Sequence, residues 1–251
     1  MLDYDGTLAP FRKERDQAVP YPEVINKLEE LMLSGYARVV IISGREVREV
    51  VSLLGVQPTP ELWGLYGLQH RKLDGGIEMT PIDQRYVGAL SSARQWLEYQ
   101  RLMSFAEVKT GSIAVHWRGS SLAEMEEIRG RVFLGWNAIV ENSGLLLLEF
   151  DGGLEIRVPG RDKGDVVRGL LQEMGPNVPA AYLGDDLTDE PAFCAIHGRG
   201  LGILVRPEWR PTAAQLLIKP PEGVVDFLTG WLNACRQKNV VPDAKAGAAN
   251  G

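Results

Sequence analysis

Apolar residues along this chain fall into short continuous runs, each followed by a stretch in which they recur every three or four positions. The first pattern suits a strand buried on both faces and the second an amphipathic helix. Their alternation predicts an α/β protein with a largely parallel sheet covered by helices on both faces. Residues 36–42, YARVVII, are the clearest run, and SGREVREVVSLLG after it predicts a helix opening past Ser43 and closing at Gly55. AAYLG at 180–184, followed by DDLTDEPAFCAI, and LGILV after Gly200 repeat the arrangement. Polar residues therefore collect at the carboxyl ends of several strands, where open α/β sheets place their ligands.

Residues 84–158 break this rhythm. Helices are expected over DQRYVGALSSARQWLEYQRL and SLAEMEEIRGRVF, and strands over SFAEVKT, SIAVHWR, WNAIVEN, LLLLEF and LEIRV. That mixture predicts a small α+β unit, 84–158, inserted into a core made of 1–83 and 159–236. The chain returns to the core at GRDKGDVVRGLLQEMG, and a last helix, EGVVDFLTGWLNACRQ, precedes an Ala-, Gly- and Asn-rich tail, 237–251, expected to be disordered.

Composition narrows the class. With 45% hydrophobic and 24% charged residues in 251, the chain can bury a sizeable core. Its 33 acidic against 27 basic residues give a net charge of -6, which argues against a nucleic-acid partner or an anionic membrane surface. Cys194 and Cys235 are too few for a disulfide framework and are expected to be inert core thiols in a reducing compartment. With neither a run of 18 apolar residues nor a basic, apolar leader, the protein is expected in the cytoplasm. A monomer is expected.

The candidate chemistry is acidic. DYDGTL, Asp3 to Leu8, sets two carboxylates two residues apart where a strand would break into a turn at Gly6. GDDLTDE, Gly184 to Glu190, places Asp185, Asp186 and Asp189 at the end of another strand. Hard oxygen ligands so placed suit Mg2+, which binds a few carboxylates together with water and a substrate phosphate. Ser43 can offer a hydroxyl and helix amides to an anion, and Lys163 can stabilise charge on a phosphoryl group. Taken singly, the Asp-x-Asp pair would read as a solvated turn, Ser43 as a helix cap and Lys163 as a surface lysine. Their ordered placement at strand ends and helix starts carries the functional reading.

DYDGTL, the SGR at Ser43 to Arg45, Lys163 and GDDLTDE together resemble the four signature motifs of the haloacid dehalogenase superfamily of phosphohydrolases. DYDGTLAPF, EVKTGSIAVHWR, LEIRVPGRDKG and YLGDDLTDEPAF resemble, more narrowly, the trehalose-6-phosphate phosphatases. The resemblance implies a Rossmann-like core with an inserted α+β cap of the C2 type. It also implies an aspartyl-phosphate mechanism in which Asp3 is the nucleophile, Asp5 the general acid and base, and Ser43 and Lys163 the phosphate partners. Asp3, the Asp5 carbonyl and Asp185 would bind Mg2+, with Asp186 and Asp189 holding waters or positioning neighbours. Tyr4 would contribute only its backbone amide and Thr7 a hydrogen bond near the nucleophile. Gly44 and Arg45 would border the substrate, although Arg45 pairing with a helix acid is the simpler expectation. The cap would read the sugar with Glu107, Lys109, Ser112, His116, Arg118, Glu155 and Arg157. Alternation along SIAVHWR sets Ser112, Ala114, His116 and Arg118 on one face, either a sugar-binding face or the solvent face of a half-buried sheet.

Two departures matter. Where the family shows Gly-x-His-Gly-x-Glu, this chain has GLYGLQ, with Tyr66 and Gln69, and the Gly-Lys pair ahead of the Glu-x-Arg element is missing from FDGGLEIR. His70 is expected at the surface and His197 at the end of a helix. The expected substrate is therefore trehalose 6-phosphate, with a trehalose-6-phosphate synthase as pathway partner. Other glycosyl phosphates of the glucosylglycerol, sucrose or mannosylglycerate type, a mutase, and a catalytically silent sugar-phosphate-binding domain stay open. Only Met1 and Leu2 precede Asp3, short for a central strand, so an upstream start or a truncation is expected. Adding about five apolar residues ahead of Met1 should raise activity or melting temperature, and no change in either would reject that expectation.

Overall fold

The computed structural model describes residues 1–12, 15–150 and 152–240. Its elements are α1 (Pro22–Leu33), β1 (Val40–Ile42), α2 (Val47–Leu54), β2 (Glu61–Gly64), β3 (Gln69–Arg71), β4 (Ile77–Met79), α3 (Gln84–Gln100), β5 (Ala106–Lys109) and β6 (Ser112–His116). These are followed by α4 (Leu122–Ser143), β7 (Leu146–Phe150), β8 (Gly153–Arg157), α5 (Lys163–Met174), β9 (Ala181–Gly184), α6 (Glu190–Ile196), β10 (Leu201–Val205), β11 (Leu216–Ile218) and α7 (Glu222–Val240).

The larger sheet is held together by its shortest member. Leu2 bridges in parallel to Ile41 of β1 on one side and to Leu183 of β9 on the other. This joins the order β11-β10-β9 to β1-β2-β3-β4. Every pairing from β11 to β2 is parallel, and β3 and β4 add an antiparallel edge. Side-chain alternation then assigns the helices to the two faces. Leu2, Ile41, Leu183, Ile203 and Val205 pack under α1, α2 and α7, while Val40, Ile42, Tyr182 and Leu204 pack under α5 and α6. The run predicted as a strand over 36–42 pairs only from Val40, whose carbonyl accepts from the Leu2 amide, and Tyr36 is exposed.

Between β4 and α5 lies a second, wholly antiparallel sheet, β5-β6-β8-β7. One face buries Ile113, Val115, Leu154 and Ile156 against α3 and α4, forming a core of its own. This is a Rossmann-like core with an α+β cap, the predicted class.

Several local expectations need correction. WNAIVEN is the second half of α4, not a strand: Ile128, Val132 and Trp136 recur every four residues on its buried side, and that burial outweighs the β-branched composition. The helix ends where Gly144 turns left-handed at φ 75°. Residues 237–240, assigned to a disordered tail, continue α7, and 241–251 lie outside the described residues. Cys194 is exposed on α6 and Cys235 half-buried, so neither is a core thiol. His70 is not a free surface residue: it stacks on Trp63 at 3.8 Å and hydrogen-bonds Glu61 at 2.9 Å. His197 does cap the carboxyl end of α6. No described helix is long and apolar enough to cross a membrane.

The contact between α5 and α6 positions the site. At Gly164 the helices approach so closely that a Cβ would lie 2.4 Å from the Pro191 carbonyl oxygen. Gly164→Ala should therefore cost about 1–3 kcal/mol in urea denaturation by forcing α5 away from α6 beside Lys163. Unchanged stability would mean that the two helices can separate freely.

Candidate active site

The two acidic motifs meet because Gly6 lets them. Its φ of 81° bends the chain after Asp5, and a Cβ there would lie 2.3 Å from Asp185 Oδ2. Asp3 leaves the Leu2 bridge with its amide donating to the Leu183 carbonyl (2.8 Å), and Asp185 follows directly on β9. The nucleophile candidate and the second acidic motif are thus fixed to neighbouring strands.

Lys163 begins α5, whose start is a capping box made by Asp162 and Asp165. Its ammonium, 2% exposed, donates to Asp3 Oδ1 and Asp189 Oδ1, each at 2.7 Å. Burial alone would lower its pKa, but Asp189 and Asp3 outweigh that and hold it well above the usual lysine value. Asp3 is pushed up to about 7, chiefly by burial, with Lys163 opposing and Asp189 and Asp5 adding. Asp185 is pushed well above the carboxylate range by burial and then by Asp3, Asp189 and Asp186.

Asp3, Asp185 and Asp189 place carboxylate oxygens within 4.8 Å of one another. Their hydrogen bonds set them apart. Asp189 accepts from Lys163, Tyr182 and the amides of Asp185 and Asp186, so its two oxygens already serve four donors. Asp185 Oδ1, by contrast, is buried with no hydrogen-bond partner among the described residues. An orphaned acceptor beside a second buried carboxylate is a donor set that fits a hard cation, and it puts Asp3 and Asp185 ahead of Asp189 as ligands. Asp186, 8% exposed, accepts from the Leu187 amide at 2.7 Å.

Ser43 departs from its expected place. Its amide donates to the Trp63 carbonyl and its carbonyl accepts from the Tyr66 amide, which keeps 43–46 tied to the segment after β2 and delays α2 until Val47. Ser43 is therefore not the helix cap. Its hydroxyl is buried and accepts from the Arg45 amide at 3.1 Å. Arg45 grips both Asp5 oxygens at 2.7 Å and also pairs with Glu49 on α2. Tyr4 is fully buried on the opposite face and donates its hydroxyl to the Ala18 carbonyl. The Thr7 hydroxyl, expected to bond near the nucleophile, has no hydrogen-bond partner among the described residues.

A cavity of about 760 Å³ opens above these groups. Asp3, Asp5, Gly44, Arg45, Lys163, Asp185 and Asp186 line its core side, and Glu107, Lys109, His116 and Arg118 its cap side. Alternation on β6 runs as predicted, with Ala114, His116 and Arg118 at the cavity and Ile113, Val115 and Trp117 in the cap core. Glu107 pairs with both His116 (3.0 Å) and Lys109 (3.3 Å). Ser112, Glu155 and Arg157 do not line the cavity. They are buried beside it, where Ser112 donates to Glu155 at 2.8 Å.

The sequence reading missed four contributors. Arg210 donates to the Asp186 carbonyl at 2.7 Å and pairs with Glu190, and Arg206 reaches the Asp185 carbonyl at 3.3 Å, so two guanidiniums back the acidic turn. Phe11 stacks under Arg118 at 4.0 Å, bridging core and cap, and Gln69 accepts from the first amide of α2 at 2.9 Å. Arg206 and Arg210 sit in an irregular loop after β10 that carries no periodic signal. Gln69 had a signal, the departure from the family's Glu.

The raised Asp3 value has a sign that can be tested. The folded state keeps a proton that the unfolded chain releases near 3.8, so without a cation stability should fall as pH rises from about 4 through about 7. Thermal unfolding of chelator-treated protein should show this decline in wild type and a shallower one in Asp3→Asn. Equal slopes would contradict the burial of an ionisable Asp3.

Against this geometry, the family model described as Trehalose-phosphatase matches residues 1–216. A trehalose-phosphate phosphatase of Mycobacterium marinum is 30% identical over 246 residues, covering 92% of this chain, which spans 60% of that relative's length. The trehalose-6-phosphate phosphatase of Escherichia coli is 26% identical, covering 94% of this chain and 87% of its own. The C-terminal domain of Candida albicans trehalose-6-phosphate phosphatase superposes with a TM-score of 0.77 at 19% identity over 93% of this chain and 90% of that one, which shows the same fold. With the family model covering most of its length, the chain belongs to the trehalose-phosphatase family.

Proposed function

We propose that the protein hydrolyses trehalose 6-phosphate to trehalose and phosphate, using Mg2+ and an aspartyl-phosphate intermediate. The observation that carries this reading is the joining of two chemistries across one cavity. Asp3, Lys163 and Asp185 converge at its floor, while a charged row, Glu107, Lys109, His116 and Arg118, faces them from the cap. A phosphate end and a polyhydroxyl end are what a phosphorylated disaccharide requires.

Asp3 attacks phosphorus in line, forming an acyl-phosphate bond as the bond between phosphorus and the sugar oxygen breaks. Asp5 gives the departing oxygen its proton. In the second half Asp5 takes a proton from the water that attacks the acyl-phosphate, releasing phosphate and restoring Asp3. Both Asp5 oxygens are held by Arg45 in this state, so proton delivery requires Arg45 to let go of one. Arg45 lines the cavity, and an incoming phosphate gives its guanidinium another anion to hold.

Lys163 stays on Asp3 and balances charge on the phosphoryl oxygens. Asp189 anchors Lys163 and the Asp185–Asp186 backbone, acting as a positioning group. Asp3, Asp185 and the Asp5 carbonyl would hold Mg2+, with Asp186 beside them. When bound, the cation neutralises the paired carboxylates and polarises the phosphoryl group. A synthase making trehalose 6-phosphate is the pathway partner this reading implies.

Purified protein should release phosphate from trehalose 6-phosphate with Mg2+ and lose that activity with a chelator. Asp3→Asn should lower it about a thousandfold or more while the protein stays folded by circular dichroism. Wild-type turnover in Asp3→Asn would reject the nucleophile. Tyr66 and Gln69 keep a second reading in view, so the assay includes glucosylglycerol, sucrose and mannosylglycerate phosphates. Faster turnover of any of them would reassign the sugar.

A further inference from the structure

Tyr66 stands where core and cap meet, on a backbone that is costly to make. Leu65 and Tyr66 are consecutive non-glycine residues in the left-handed region, at φ 50° and 57°. A side chain in this region is strained against its own backbone, and strain of this kind persists only where its surroundings enforce it. Here they do. The Leu65 amide donates to the Arg45 carbonyl (2.9 Å) and the Tyr66 amide to the Ser43 carbonyl (3.0 Å), so this strained segment is strapped across the Ser43–Arg45 turn.

The strap sets the ring in a defined place. On its core side it covers Gly44 so closely that a Cβ there would lie 2.7 Å from ring carbon Cζ and from the hydroxyl. On its cap side the Arg157 guanidinium lies 4.6 Å and the Lys109 ammonium 6.0 Å from the ring centroid. The Glu155 carboxylate, which accepts from Ser112, is the charge that acts most strongly on the phenol. Glu155 is 1% exposed and Arg157 8%, so neither is a solvated cap residue. The Arg157 Nε has no hydrogen-bond partner among the described residues. A single core side chain thus covers the turn at the phosphate end and lies against two cations of the cap sheet, with the Glu155 charge acting on its phenol.

We propose that Tyr66 is a specificity-positioning residue that fixes Glu155, Arg157 and Lys109 relative to the Ser43–Arg45 turn, so that recognition of the glycosyl leaving group depends on its phenol. This rests on the proposed sugar-phosphate substrate. Lys109 reaches the cavity directly, whereas Glu155 and Arg157 act through the ring and the β6–β8 pairing of Ser112 with Arg157 and Ala114 with Glu155. A phosphomonoester whose leaving group makes no contact with the cap sheet has little to lose from a change at Tyr66. A disaccharide phosphate has much.

The test compares trehalose 6-phosphate with p-nitrophenyl phosphate on the Mg2+-loaded full chain. Tyr66→Phe keeps the ring on Gly44 and under Arg157 but removes the hydroxyl on which the Glu155 charge acts. The ratio of kcat/KM for trehalose 6-phosphate to that for the aryl ester should fall about tenfold, mainly through KM for the sugar phosphate. A double-mutant cycle with Glu155→Ala should show that Tyr66→Phe changes this ratio much less once Glu155 is gone. Equal losses on both substrates would make Tyr66 merely structural, and an unmoved ratio would make its hydroxyl idle; either overturns the proposal. A wild-type enzyme that does not favour trehalose 6-phosphate over the aryl ester would overturn the substrate reading and this proposal with it. A preference present in wild type and unmoved by Tyr66→Phe would overturn the role of Tyr66 alone.

Discussion

Lys163 holds together two carboxylates that water can no longer screen. Asp3, Asp189 and the ammonium between them are each at most 4% exposed, and Asp185 lies beside them at 2%. Removing such groups from water costs several kcal/mol per ion unless partners replace the lost solvent. The fold replaces it for Asp189 completely, with four donors, and for Asp3 partly, with Lys163 and nothing that cancels Asp185. The remaining imbalance is expressed in Asp3 and Asp185, whose carboxyl groups are driven toward the protonated form. A structure stable for its own sake would satisfy Asp185 as it satisfies Asp189. This one leaves an oxygen without a partner among the described residues at the point where a cation and an anionic substrate would meet.

That arrangement explains what the sequence made legible. DYDGTL, Lys163 and GDDLTDE carry their chemistry locally, at strand ends and a helix start, and strand order brings them together through Leu2 and Gly6. Alternation on β6 was readable for the same reason, because a strand fixes side-chain direction with period two. WNAIVEN was misread because its β-branched and aromatic residues say strand locally, while their fourfold spacing with Ile128 and Val132 says helix only when a longer window is taken. The inferred positions of Ser43 and Cys194 failed differently. Each depends on where a helix begins or which way it faces, and those were settled by backbone bonds to Trp63 and Tyr66 and by the packing of Phe193 and Ile196.

Charge makes the same point on a larger scale. The six carboxylates of DYDGT and GDDLTDE account for the whole excess behind a net charge of -6, so the remainder of the chain is formally neutral. The folded molecule brings four cations to that excess from three separate places, Arg45 after β1, Lys163 on α5, and Arg206 and Arg210 after β10. No stretch of sequence shows this gathering, because the partners are 20 to 160 residues apart. An acidic site surrounded by its own guanidiniums and an ammonium does not repel phosphate as the bare count suggests.

The cap repeats the logic with different means. Its apolar side is satisfied internally by α3 and α4, so the charged face of β6 and β5 is free to face the core. Two contacts then tie that face to the catalytic side, Phe11 beneath Arg118 and the ring of Tyr66 beneath Arg157. Both set an aromatic of the core against a guanidinium of the cap. Such contacts are less directional than a bidentate ion pair, which suits a joint that must hold two parts together while substrate enters between them. The strained backbone of Leu65 and Tyr66 ties the second of these rings to the core: the segment that carries it cannot shift without releasing the turn at Ser43. The geometry at the phosphate end and the position of the cap's charged residues are in this way set by the same short segment.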